Sequence, residues 1–76
     1  MTNKMVNVHL DKIAGTLRIT GLMIDTVVYL YDAKGDLQYK QLYQSPCLDL
    51  KFSKKGTYVL VMSHPNCQPE VKRIVY

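Results

Sequence analysis

Apolar and polar side chains alternate with a period of two along most of this chain. Val6, Val8 and Leu10 alternate with Asn7 and His9. Leu17 and Ile19 alternate with Arg18 and Thr20, and Leu48, Leu50 and Phe52 with Asp49 and Lys51. Such alternation puts one set of side chains on a buried face and the other in water, the pattern of a β-strand. Turn-forming stretches separate the runs: Ala14-Gly15, "GDL" after Lys34, Ser45-Pro46, "KKG" before Thr57, and "HPNCQP" from His64 to Pro69. No ten-residue stretch free of these breaks shows apolar residues at helical spacing. The pattern predicts strands at about 4–10, 16–20, 26–31, 37–43, 47–52, 57–62 and 70–76, with no substantial helix. About seven short strands at this spacing predict an all-β fold, an immunoglobulin-like two-sheet antiparallel sandwich forming one domain over residues 1–76.

Two segments refine that expectation. Gly56-Thr57-Tyr58 sits where such sandwiches place a tyrosine whose hydroxyl ties back to upstream backbone, and Leu60 takes a core position. Asp32-Ala33-Lys34-Gly35-Asp36 suits a type I turn ending in a left-handed glycine. Closing the hairpin there without a gap pairs Tyr31 with Leu37, Tyr29 with Tyr39, Leu30 with Gln38 and Val28 with Lys40. One face then holds Val28, Leu30, Gln38, Lys40 and Leu42, and the other Val27, Tyr29, Tyr31, Leu37, Tyr39 and Tyr43. The pattern conflicts with itself, because each face mixes core-forming and solvent-seeking residues. Val28 and Leu30 favour the first face as the core for their own strand, and the partner strand stays open. If the second face is outward, Tyr29, Tyr31, Tyr39 and Tyr43 form an aromatic platform able to stack on sugar rings or dock a protein. Cross-strand pairing that stiffens the sheet is the simpler role for them.

Composition narrows the picture. At 76 residues with 47% apolar side chains, the chain is one small globular domain, near the lower limit of independent folding. A core of this size benefits from a staple or a partner. "MTNKMVNVHL" is too short and polar for a signal segment, and no run is long enough to span a bilayer. This is the pattern of either a cytosolic protein or the mature part of a secreted one. The net charge of +4 gathers in the second half, which has six basic and two acidic residues against four of each in the first. Lys40, Lys51, Lys54, Lys55, Lys72 and Arg73 are scattered, however, as expected for lysines that keep sheet edges from aggregating. No nucleic-acid partner is expected.

Candidate chemistry is sparse. In an immunoglobulin-like sandwich, Cys47 and Cys67 fall at the same end of the molecule. A disulfide between them would close a loop of about twenty residues and contribute roughly 3 kcal/mol in the chain-entropy model. Two partly buried thiols are the alternative. Cys67, Cys47, His64 and Met23 also make a soft-metal donor set on paper, but "HPNC" is half a motif with no second half. No metal or cofactor is expected. The aspartates at 11, 25, 32, 36 and 49 fall in turns or on strand faces, no serine is framed as a nucleophile, and no glycine-rich loop precedes a helix. An enzyme is not expected.

Tyr31-Asp32, Gly35, Gly56-x-Tyr58 and Lys72-Arg73-Ile74-Val75 occur in an order and spacing that carry a family likeness. Over about residues 15–76 the chain resembles the C-terminal sorting domains of the type IX (Por) secretion system of Bacteroidetes, and small immunoglobulin-like sandwiches of secreted Bacteroides proteins. The resemblance implies a non-catalytic module of a secreted, periplasmic or outer-membrane-associated protein. It implies the secretion apparatus as partner, with Lys72 and Arg73 on the recognition surface; the alternative is a domain that binds an extracellular protein or glycan through the tyrosine face or the loop end near His64. The chain departs from the family at Gln38, where an apolar residue is usual, and in having Cys47 and Cys67.

Overall fold

The computed structural model describes residues 6–44 and 47–76. Its strands are β1 (Asn7–Asp11), β2 (Thr16–Thr20), β3 (Thr26–Asp32), β4 (Leu37–Tyr43), β5 (Cys47–Lys51), β6 (Thr57–Ser63) and β7 (Glu70–Val75). The period-two reading located each of them to within a few residues. β1 is displaced furthest, running on to Asp11, while residues 4 and 5 of its expected span and the Ser45-Pro46 turn signal lie outside the described residues. Two antiparallel sheets form, one ordered β1-β2-β5 and the other β4-β3-β6-β7. The molecule is an all-β sandwich, as the alternation predicts.

The core is the inner row of each sheet. Leu17, Ile19, Leu50 and Phe52 from one face Val28, Leu30, Tyr43, Tyr58, Leu60, Met62 and Ile74 from the other, and all are buried. Aromatic rings close one end. Phe52 lies between Tyr58 and Tyr76, with ring centroids 4.6 and 5.3 Å away. The last residue is therefore part of the structure. The Tyr58 hydroxyl donates to the Lys54 carbonyl at 2.7 Å, the tie expected of a tyrosine at this corner.

Turns follow from local chemistry. Asp11 Oδ1 accepts from the backbone N–H groups of Ile13 and Ala14, both at 3.0 Å, and Gly15 follows at φ +68°. Asp32 does the same work in the β3–β4 hairpin. Its Oδ1 accepts from Lys34 N and Asp36 N at 2.9 Å, and Gly35 sits at φ +88°. That tight turn holds β4 beside β3 instead of releasing it to the β5 sheet.

The ungapped hairpin register is corrected. Tyr31 pairs with Leu37 as expected, but Leu30 then pairs with Tyr39, Tyr29 with Lys40, Val28 with Gln41 and Thr26 with Tyr43. A bulge between Leu30 and Tyr31 leaves Gln38 as the extra residue. The slip has an evident physical cause. It takes Lys40 off the core side and brings Tyr39 and Tyr43 onto it, leaving the exposed Gln41, opposite Val28, as the polar residue on that side. Gln38, freed from the ladder, donates through Nε2 to Asp32 Oδ2 at 3.0 Å.

Candidate functional site: the outer face of the four-stranded sheet

The two outer surfaces of the sandwich differ in kind. On the three-stranded sheet, the rows His9–Arg18–Asp49, Asn7–Thr20–Cys47 and Asp11–Thr16–Lys51 face outward. Arg18 Nε and Nη2 donate to the two Asp49 carboxylate oxygens at 2.9 and 3.1 Å. The guanidinium lowers the Asp49 pKa, and Asp49 raises that of Arg18. Asp11 is lowered too, by the backbone N–H of Ala14 first and of Ile13 second. This is an ordinary hydrated face with a cross-strand ion pair.

The opposite surface is apolar. Across β4-β3-β6-β7, register places Lys40, Tyr29, Val61 and Val71 in one outward row, and Leu37, Tyr31, Val59 and Arg73 in the next. Leu42 and Val27 extend it at one end and Val75 at the other. Leu37, Leu42, Val71 and Val75 are 49, 41, 64 and 56% exposed. β3 and β6 cause this, because "VVYLY" and "YVLVM" are apolar at both phases of the alternation. Antiparallel sheets with one solvated face normally alternate cleanly, and an unbroken apolar run signals cover on both sides. With strands about 4.8 Å apart and about 3.3 Å per residue, the patch covers on the order of 300–400 Å², the size of the largest apolar patch on a typical monomer, which is often functional.

The tyrosines divide between the faces. Tyr43 is 1% exposed and belongs to the core, and Tyr39 packs partly buried against it. A platform of all four is therefore not formed. Tyr29 and Tyr31 remain on the outer face with ring centroids 6.2 Å apart and planes 17° from parallel. Lys40 Nζ lies 5.8 Å from the Tyr29 ring centroid, drawn in over the apolar floor.

Lys72 and Arg73, adjacent in sequence, point to opposite faces. Arg73 stands outward beside Val59, and Lys72 is opposite Leu60 on the other side of edge strand β7. Both are exposed, but they do not form one basic surface.

At the loop end, no disulfide joins Cys47 and Cys67, and both are thiols. Cys47 lies opposite Thr20 on β5, and the Cys67 sulfur is 3.8 Å from the Met23 sulfur. His64 Nδ1 accepts the Asn66 N–H at 3.1 Å. Met23, Met62 and His64 line a cavity of about 20 Å³, room for one water. Of the soft donors drawn from the sequence, Cys67 and Met23 are brought together. Among the described residues no three His, Cys, Asp or Glu side chains gather as metal ligands. No helix among those residues is long and apolar enough to cross a membrane. No protein-family model matches the chain, and no curated protein matches it either.

Proposed function

We propose that this domain is a non-catalytic docking module of a secreted protein, contacting a protein partner through the outer face of its four-stranded sheet. One observation carries the reading: the sandwich has one hydrated outer face and one apolar one. Solvent favours the first and penalises the second, so the apolar face is suited to cover by another surface. The likeness of residues 15–76 to type IX sorting domains supports placement outside the cytoplasm. In that role the secretion apparatus is the partner, with Arg73 and edge strand β7 at the contact.

The test is a reporter fused to residues 1–76 in a type IX-competent host. The whole chain is needed because β1 pairs with β2 along its full length. Release into the medium, lost when Tyr29→Ser and Val71→Asp are introduced together, supports the proposal. Retention of the unmodified fusion in the periplasm removes the sorting role. The stacked Tyr29–Tyr31 pair with Lys40 favours a second reading, an extracellular glycan partner. A glycan array with Tyr29→Ala as control tests it.

A further inference from the structure

The outer face carries charge of one sign. Its positions on β3, β4, β6 and β7 include Lys40 and Arg73 and no carboxylate. The nearest acid, Asp32 at the hairpin tip, is occupied by its own turn: Oδ1 accepts from Lys34 and Asp36 N–H, and Oδ2 accepts from Gln38. Glu70 falls in the other register, opposite Met62. Lys40 and Arg73 stand on the two edge strands, three strand spacings apart and in neighbouring rows. Strand spacing and rise put them about 15 Å apart, with Tyr29, Tyr31, Val59, Val61 and Val71 as the floor between.

We infer that the occupant of this face is a polypeptide segment with an apolar centre flanked by carboxylates about 15 Å apart, one meeting Lys40 and the other Arg73. The inference rests on the docking reading above and specifies its partner. In an extended segment the two acids are four to five residues apart at about 3.3–3.6 Å per residue.

Charge and area argue against a second copy. Stacking two such faces sets cations against cations around a patch of about 300–400 Å², well under the roughly 800 Å² per partner of a stable interface. A glycan needs many hydrogen-bonding groups beside its aromatic platform. This floor has Thr57 and Ser63 at its margins, and at its centre valines with the Tyr29 and Tyr31 hydroxyls as the remaining neutral polar groups.

The experiment is chemical-shift mapping on the isotope-labelled domain with three probes: a short valine–phenylalanine peptide with glutamates at both ends, the same peptide with lysines there, and anionic phospholipid vesicles. The glutamate peptide is expected to shift amide signals of β3, β6 and β7. Its affinity should fall about five- to tenfold for Lys40→Glu or Arg73→Glu, and both variants should regain affinity for the lysine peptide. Binding should weaken as salt rises, since the charges lie at an exposed rim. Equal binding of both peptides to this face overturns the charge inference and leaves the docking reading standing. Failure of every probe to perturb the face counts against both. Preferential vesicle binding, or concentration-dependent dimerisation by sedimentation, replaces the acidic segment with a membrane or a second copy and overturns the inference.

Discussion

Deleting one residue of β4 should be nearly harmless at position 38 and damaging three positions later. Gln38 is the bulged residue, so removing it leaves Tyr31–Leu37 followed directly by Leu30–Tyr39, an uninterrupted antiparallel register. The interactions lost are the exposed hydrogen bonds from Gln38 Nε2 to Asp32 Oδ2 at 3.0 Å and, more weakly, to the Asp36 carbonyl at 3.4 Å, together about 0.5–1.5 kcal/mol. Deleting Gln41 offers no such escape. Either everything beyond it turns over and Tyr43 leaves the core, at about 3–5 kcal/mol. Or the bulge is consumed, in which case Gln38 and Lys40 turn inward opposite Leu30 and Val28 while Tyr39 turns out. That route forfeits part of an aromatic side chain's burial and directs a lysine towards the core, roughly 2–3 kcal/mol. Urea unfolding followed by circular dichroism measures both variants. The expected result is a gap of about 0.5–2.5 kcal/mol, with the Gln38 deletion the more stable. Equal losses, or a larger loss at Gln38, would refute the bulge as the device that sets which side chains of β4 face the core.

Other outcomes follow from single contacts. Tyr58→Phe removes the hydroxyl bond to the Lys54 carbonyl at 2.7 Å and should cost about 1 kcal/mol in the same unfolding assay. Gly15→Ala should cost more than about 1 kcal/mol. The residue sits at φ +68°, and a Cβ there would lie 2.7 Å from the Tyr76 hydroxyl. Combining it with Tyr76→Phe should recover part of the steric cost, since the ring Cζ stays at 3.2 Å, and leave the backbone part. Asp11 and Asp49 both have folded pKa values below the ordinary carboxylate value of 3.8. Their contribution to stability is therefore present above that value and lost as pH falls through the lowered ones. Unfolding free energy should be insensitive to these groups near neutrality and drop below about pH 4. An Asp11→Asn/Asp49→Asn variant should show a shallower acid slope.

Much of this architecture is legible in the alternation. Runs such as Leu17–Arg18–Ile19 and Leu48–Asp49–Leu50 announce both the strand and its buried face, because a sheet with one wet side has to alternate. The Asp32–Asp36 turn and the corner role of Tyr58 are equally visible, since each rests on chemistry within four residues. The bulge is less so. Its trace is the contradiction it resolves: no ungapped pairing that starts from Tyr31 and Leu37 at this turn keeps Lys40 out and Tyr43 in. The apolar outer face also left a trace, in two strands whose central five residues are apolar or aromatic at both phases, but register was needed to show that their outward rows merge into one patch. The facing of Lys72 and Arg73 follows from period two alone, since neighbours in a strand cannot share a face. Whether Cys47 meets Cys67 depends on loop geometry, on which spacing is silent.

A docking role requires the four-stranded sheet to carry one face for stability and one for recognition. The direct measurement is the unfolding free energy of a Tyr29→Ser/Val61→Thr double variant beside that of Leu60→Ala. Tyr29 and Val61 are cross-strand partners on the outer face, whereas Leu60 is wholly buried. The expected loss is about 1 kcal/mol or less for the outer pair, the scale of cross-strand contacts, against about 2–5 kcal/mol for the core truncation. A loss at the outer pair as large as that at Leu60 would mean the apolar face serves the fold itself, and the docking function would fall with it.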